Sequence, residues 1–259
     1  MSLAETTTST TTSTSLLSSS RPRATLSSVE AVRGVETEQI RERLEAVRAR
    51  IVSAGGDPAR VTIVAVTKGH GVDAVRAALQ VGLSDIGENY ASELLSKAAT
   101  IGSAGGVPTA PRWHFLGAVQ RNKVARLAPV VTCWQSVARP EEVTAIARHS
   151  EHSDVFIEID VSGGPGRRGC TPELAEHLVE AARAEGCTVR GLMTVAPLPA
   201  GSAGTEVAAR AFATVARLGE TLGLTELSMG MSHDLEEAVA AGSTMIRIGT
   251  ALFGERSAR

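Results

Sequence analysis

The chain is predicted to fold as a single α/β unit, a (β/α)8 TIM barrel, and three observations carry that expectation. From residue 29 onward, eight short apolar, β-branched runs alternate with stretches of helical periodicity. The length of 259 residues, 43% of them hydrophobic, suffices for one sizeable core. Polar residues stand at the carboxyl ends of the runs, where barrels of this kind carry their chemistry. An open doubly wound sheet is the competing architecture, since alternation alone does not establish closure. No Gly-x-Gly-x-x-Gly follows the first strand, which counts against dinucleotide binding.

Composition narrows the function classes. The net charge is −2 and no long basic run occurs, so neither nucleic acid nor an anionic membrane surface is expected as a partner. The apolar runs are too short to span a bilayer. Cys133, Cys170 and Cys187 have an odd count and no CxxC spacing, and they read as reduced, buried thiols of a cytoplasmic protein. Residues 1–28 form a separate Ser/Thr-rich tail without an apolar h-region, expected to be disordered, and 29–259 the barrel.

The elements follow in order. Ile40, Leu44, Val47 and Ile51 recur at helical spacing before Gly55-Gly56 and Pro58 stop the helix. The first strand, Val61 to Lys68, is apolar and β-branched, as suits a strand buried on both faces. A helix over 73–81, a strand over 85–89 and a helix over 90–101 come next. Strand 112–117, helix 119–127, strand 130–137 and a helix from Pro140 complete the first half. Strand 154–161 then opens into a Gly-rich loop. Thr171 and Pro172 supply an N-cap and a first-turn proline for the next helix, which runs to Gly186. Strand 189–195, helix 204–222, strand 227–232, helix 233–241 and strand 244–248 close the series.

Lys68 is the most informative of the strand-end residues. The chain has three lysines (Lys68, Lys97, Lys123) against 23 arginines, so its surface positive charge comes as arginine. A desolvated lysine has a lowered pKa and can form a Schiff base with an aldehyde. The bland alternative is a solvated lysine at a strand end. At the last two strands, Ser232 reads as the N-cap of the following helix, and Gly249-Thr250 lets backbone amides approach a ligand. Loops after strands seven and eight commonly hold phosphate in these barrels. Arg247 alternates with Ile246 and Ile248 and is predicted to point into the barrel, paired either with a carboxylate such as Glu158 or Asp160 or with a ligand ring nitrogen. Lysine, phosphate loop and inward arginine together suggest pyridoxal 5'-phosphate (PLP). His149 and His152 are spaced for metal, but no third ligand accompanies them.

These segments match a known pattern. Ala65-Val66-Thr67-Lys68, Gly87-Glu88-Asn89-Tyr90, Trp113-His114-Phe115-Leu116-Gly117, Ser228-Met229-Gly230-Met231-Ser232-His233-Asp234 and the run Gly242 to Gly254 stand in the right order and spacing. Over residues 36–256 the chain resembles the PLP homeostasis protein family (the YggS/PROSC family). The resemblance implies one alanine-racemase-like barrel (fold type III) without a second β domain or catalytic turnover of its own. It implies a cytoplasmic, monomeric protein that binds, buffers and delivers PLP, with PLP-dependent apo-enzymes as partners. Carried over by position, Lys68 would form the Schiff base and Arg247 would meet the pyridine nitrogen. Ser232, Gly249, Thr250 and amides around Met231 would hold the phosphate. Asn89 and His114 would line the ring and Met229 would pack against it; no residue is assigned a catalytic role.

Two segments depart from the family pattern. Gly69-His70-Gly71 follows the lysine where an apolar-Pro or Lys-Pro pair is usual. Arg168, in the loop after the fifth strand, stands in for a lysine's charge. The competing functions are a PLP-dependent amino-acid racemase, for which a β-rich second domain and an opposing acid are expected, and a Schiff-base aldolase, which would need no Arg247 on a ring nitrogen.

Overall fold

The computed structural model describes residues 24–104, 109–150, 153–164, 167–197 and 203–255. Eight parallel strands form a closed barrel in sequence order. They are β1 Thr62–Val66, β2 Asp85–Glu88, β3 Arg112–Phe115, β4 Val131–Val137, β5 Asp154–Glu158, β6 Thr188–Met193, β7 Glu226–Ser228 and β8 Met245–Ile248. The helices are α1 Ala24–Ser53, α2 Val72–Gln80, α3 Ala91–Ala104, α4 Arg121–Leu127, α5 Pro140–Ala147, α6 Ala175–Ala184, α7 Ala203–Thr221, α8 Leu235–Ala240 and α9 Thr250–Phe253. Closure is decided by β1, which pairs with β2 (Ala65 beside Ile86) and with β8 (Ile63 beside Ile246). The open-sheet alternative is thereby excluded.

Strand alternation splits the core into two layers. Ile63, Ala65, Ile86, Ile246 and Ile248 face outward and pack with Leu44, Val47 and Ile51 of α1 and the other helices. Val64, Cys133, Phe156, Met193 and Met245 face inward and fill the barrel with a second, smaller cluster. Each fully buried aliphatic side chain of the outer layer contributes about 1.5–3 kcal/mol. The three cysteines are free and buried. No helix among the described residues is long and apolar enough to cross a membrane. Nor, among them, are three or more His, Cys, Asp or Glu side chains grouped to hold a metal ion.

The structure corrects several boundaries. Helix α1 starts at Ala24, inside the stretch 1–28 assigned to the tail; no Pro or Gly interrupts the chain between Pro22 and Gly34. Residues 1–23 lie outside the described residues, as does His152. Thr171 does occupy an N-cap, but of a 3-10 turn (Pro172–Leu174), and its side chain makes no capping bond. Strand β7 ends at Ser228 rather than Ser232, because Gly230 takes φ +91°. A Cβ added there would also stand 2.5 Å from Ala238 Cβ, so glycine is needed twice over. Helix α9 was not anticipated, since one turn is too short to show a period.

Candidate functional site at the carboxyl-terminal mouth of the barrel

Lys68 lies two residues beyond β1 and shares the inward parity of Val64 and Val66, half-buried at the mouth. Its neighbours are pinned from the outer side. The Thr67 hydroxyl donates to Glu88 Oε1 at 2.6 Å, and Lys97 Nζ donates to Glu88 Oε1 at 2.5 Å and to the Thr67 carbonyl at 2.8 Å. The Gly69 amide donates to Glu93 Oε2 at 2.8 Å. Burial raises the Glu88 carboxyl above its usual range, against the pull of Lys97 and Thr67. A cavity of about 1200 Å³ opens beside this loop, lined by Gly69, His70, Tyr90, Lys97, His233 and Thr250 among others.

Asn89 follows β2 on its inward parity, and among the described residues its buried Oδ1 has no partner. Its carbonyl is pressed against Gly117: a Cβ at 117 would come within 1.9 Å of Asn89 O. Gly117→Ala is therefore expected to displace the Asn89 loop and to destabilise the fold by about 1–3 kcal/mol, read as a lowered thermal midpoint.

Arg247 points into the barrel as alternation required and is 5% exposed. Its partners are neither of the carboxylates considered. Nη1 donates to the Ser228 carbonyl (2.6 Å) and hydroxyl (2.7 Å), and Nη2 to the Thr194 carbonyl (2.8 Å). Glu158 faces Arg168 instead (3.7 Å), and Asp160 accepts from the amide and hydroxyl of Ser162. Burial lowers the Arg247 pKa to about 10, with Asp234 and Glu158 opposing, so the guanidinium stays charged at neutral pH. Ser228, Thr194 and Gln135 were not singled out from sequence. The only signal for Gln135 was one amide inside an apolar strand.

The turns after β7 and β8 meet through Ser232, whose hydroxyl accepts from the Ala251 amide at 3.1 Å. Ser232 thus serves the first turn of α9 and is not the N-cap of α8; that place belongs to Asp234. Asp234 Oδ1 also accepts the Met231 amide at 2.6 Å, so this amide is engaged within the chain and does not stand ready for an anion. Gly249 and Thr250 begin α9, where the Gly249 Cα approaches β1 so closely that a Cβ would stand 3.3 Å from Val66 O. Met229 faces the outer layer, packed in the main core, and lines no inner site: Ser228 takes the inward position next to it. His114 does not line the mouth either. It is wholly buried inside the barrel, with one ring nitrogen on Asp85, the first residue of β2, and the other on Gln135. The arrangement therefore brings Lys68, Asn89, Arg247, Ser232, Gly249 and Thr250 to the mouth region and separates Met229 and His114 from it.

Comparison with known proteins follows from this geometry. The family model of the alanine racemase N-terminal domain matches residues 35–257. The pyridoxal phosphate homeostasis protein of Pseudomonas aeruginosa is 39% identical over 84% of this chain and 96% of its own length. That of Deinococcus radiodurans is 38% identical over 81% and 97%. Among solved structures, PipY of Synechococcus elongatus with PLP bound is 32% identical and superimposes with a TM-score of 0.69, covering 83% of this chain and 100% of PipY.

Proposed function

The chain belongs to the pyridoxal phosphate homeostasis protein family, on the alanine racemase N-terminal domain fold, and from that premise we propose that it binds PLP at the barrel mouth, buffers it and delivers it, with no catalytic turnover of its own. The observation that carries the reading is one of parity. Lys68 and Asn89 follow β1 and β2 on the inward parity, Arg247 turns inward on β8, and the turns after β7 and β8 are joined beside them. The residues present fit the cofactor: a half-buried amine, an amide oxygen on Asn89 that has no partner among the described residues, a buried charged donor, and a glycine where backbone must come close. When bound, PLP supplies an aldehyde and a conjugated ring that can accept electron density.

Lys68 holds the aldehyde covalently and Asn89 borders the ring. Arg247, an obligate donor, meets the ring nitrogen and keeps it unprotonated. That makes the ring a weaker electron sink. Ser232, Gly249 and Thr250 grip the phosphate. The carrier acts as a monomer in the cytoplasm and passes PLP to PLP-dependent apo-enzymes. The homeostasis name of relatives 38–39% identical supports the non-catalytic reading over the racemase.

Titration with PLP and with pyridoxal tests the phosphate grip. Pyridoxal is expected to bind far more weakly. Ser232→Ala with Thr250→Val should weaken PLP by roughly 10–100-fold, the value of one or two hydrogen bonds to a charged group, with pyridoxal little changed. Equal affinity for the two vitamers refutes the grip. Racemisation of an amino acid faster than free PLP achieves would refute the non-catalytic reading.

A further inference from the structure

Beneath the mouth, the barrel interior holds a row of polar side chains that cofactor binding has not used. Arg247 Nη1 donates to Ser228 Oγ at 2.7 Å. A guanidinium only donates, so the Ser228 hydroxyl sends its own proton onward, to Gln135 Oε1 at 2.7 Å. The amide nitrogen of Gln135 then donates to His114 Nδ1 at 2.7 Å, with Met245 Sδ at 3.1 Å as its second acceptor. A ring nitrogen that accepts carries no proton. His114 is therefore neutral, with its hydrogen on Nε2, and it donates to Asp85 Oδ1 at 2.9 Å. The direction of the whole row is fixed because one end can only donate and the other, a carboxylate, only accepts.

Five strands contribute one member each: Asp85 from β2, His114 from β3, Gln135 from β4, Ser228 from β7 and Arg247 from β8. His114, Gln135 and Ser228 are all 0% exposed. Burying such groups is costly unless every one is satisfied. Apolar side chains fill the same interior alongside them, as Val64, Phe156 and Met245 do. What apolar filling cannot do is fix the plane and charge of a guanidinium.

We propose that His114, Gln135 and Ser228 are positioning residues that hold the Arg247 guanidinium, so that the group meeting the cofactor's ring nitrogen is set through hydrogen bonds from Asp85. This rests on the reading that PLP binds at the mouth with Arg247 on its ring nitrogen. One consequence is directional. A second proton on His114 would set a donor at Nδ1 against the donating amide of Gln135. If that amide turned over, Ser228 would face two donors. The disturbance reaches Arg247 across the barrel. The charged and titratable groups around the row include Asp85 and Arg112 (3.5 Å apart), Cys133 on β4, Asp154 and Glu158 on β5, Arg190 paired with Glu226 between β6 and β7, Asp234 before α8, and Arg247 itself. Asp85 accepts from His114 and lies beside the Arg112 guanidinium, contacts that favour its ionised, accepting form.

The test uses the full chain loaded with PLP, its near-ultraviolet to visible spectrum and its PLP affinity, with circular dichroism to verify folding. Ser228→Ala and His114→Phe should each move the absorption band and weaken PLP roughly tenfold, about one buried hydrogen bond, while the borohydride-fixed adduct at Lys68 still forms. Their double variant should be no worse than either alone. His114→Gln, which can both accept and donate in the same place, should restore the wild-type band. Folded Ser228→Ala and His114→Phe proteins with wild-type band and affinity would overturn the proposal. Nitrogen NMR of the protein without PLP decides the matter even where a variant does not fold: the wild type should show neutral His114 protonated on Nε2 at pH 7, and a proton on Nδ1 overturns the row. His114→Gln, read in the same way, should leave the Arg247 side-chain resonance near its place, whereas Ser228→Ala should shift it; an unshifted resonance in the folded Ser228→Ala protein also overturns the proposal. If the wild type takes up no PLP, the mouth reading falls on its own, and these resonances still report whether the row holds the arginine.

Discussion

Lys68→Ala is expected to abolish the adduct that borohydride fixes and to weaken PLP by on the order of 100-fold or more, close to 3 kcal/mol. The phosphate and ring contacts survive the substitution, so residual reversible binding should persist. Neither of the other lysines is placed to replace it. Lys97 is 7% exposed and committed to Glu88 and the Thr67 carbonyl, and Lys123 is exposed on α4. Lys68 differs from both in following an apolar strand on its inward parity, half-buried at the mouth. Peptide mapping of the reduced wild-type complex should put the label on the peptide carrying Lys68. A label on the Lys123 peptide, or full affinity in the variant, contradicts the assignment.

The parts of this molecule that sequence reveals are those set by local chemistry. The first strand was recognisable because a strand buried on both faces is written as a β-branched, mostly apolar run, and Val61 to Val66 is such a run. The inward turn of Arg247 followed from period two alone. What stayed hidden depends on where that period stops. Extending β7 to Ser232 carried the alternation past Gly230, whose positive φ breaks it. Met229, set against the ring by the resemblance alone, packs in the outer layer, and Ser228 holds the inward place. The partners of Ser232 and Arg247 lie 19 or more residues away, and no spacing rule connects them. The partners of His114 were hidden for the same reason: its acceptor and donor come from β2 and β4, and only the closed barrel brings them together. The scarcity of lysine carried more than it first gave, since Lys97 proves to be the buried partner of Glu88 and of the Thr67 carbonyl.

Lys97→Met is the substitution expected to cost the most stability, about 3–5 kcal/mol at pH 7, because it leaves the Glu88 carboxylate buried without its countercharge. Glu88 is 0% exposed, and among the described residues its Oε2 already has no partner. For a barrel of this size the loss corresponds to a thermal midpoint lower by roughly 6–15 °C. The pH dependence has a definite sign. Burial raises the folded-state pKa of Glu88 above its unfolded value, so its contribution is most favourable below the unfolded pKa and declines as pH rises through the folded one. Removing Lys97 raises that folded pKa further and widens the window. The deficit relative to wild type should therefore shrink between pH 7 and pH 5 as the carboxyl takes up a proton. Adding Glu88→Gln, which still accepts from Thr67, should recover most of the loss at pH 7, whereas a purely steric role for Lys97 predicts no recovery and no pH trend. The consequence reaches the mouth, because Lys97 also holds the carbonyl of Thr67, the residue before Lys68. With that tether gone the amine is less well placed, so the single variant should load PLP more weakly as well as melt earlier, and the double variant should regain stability before it regains affinity.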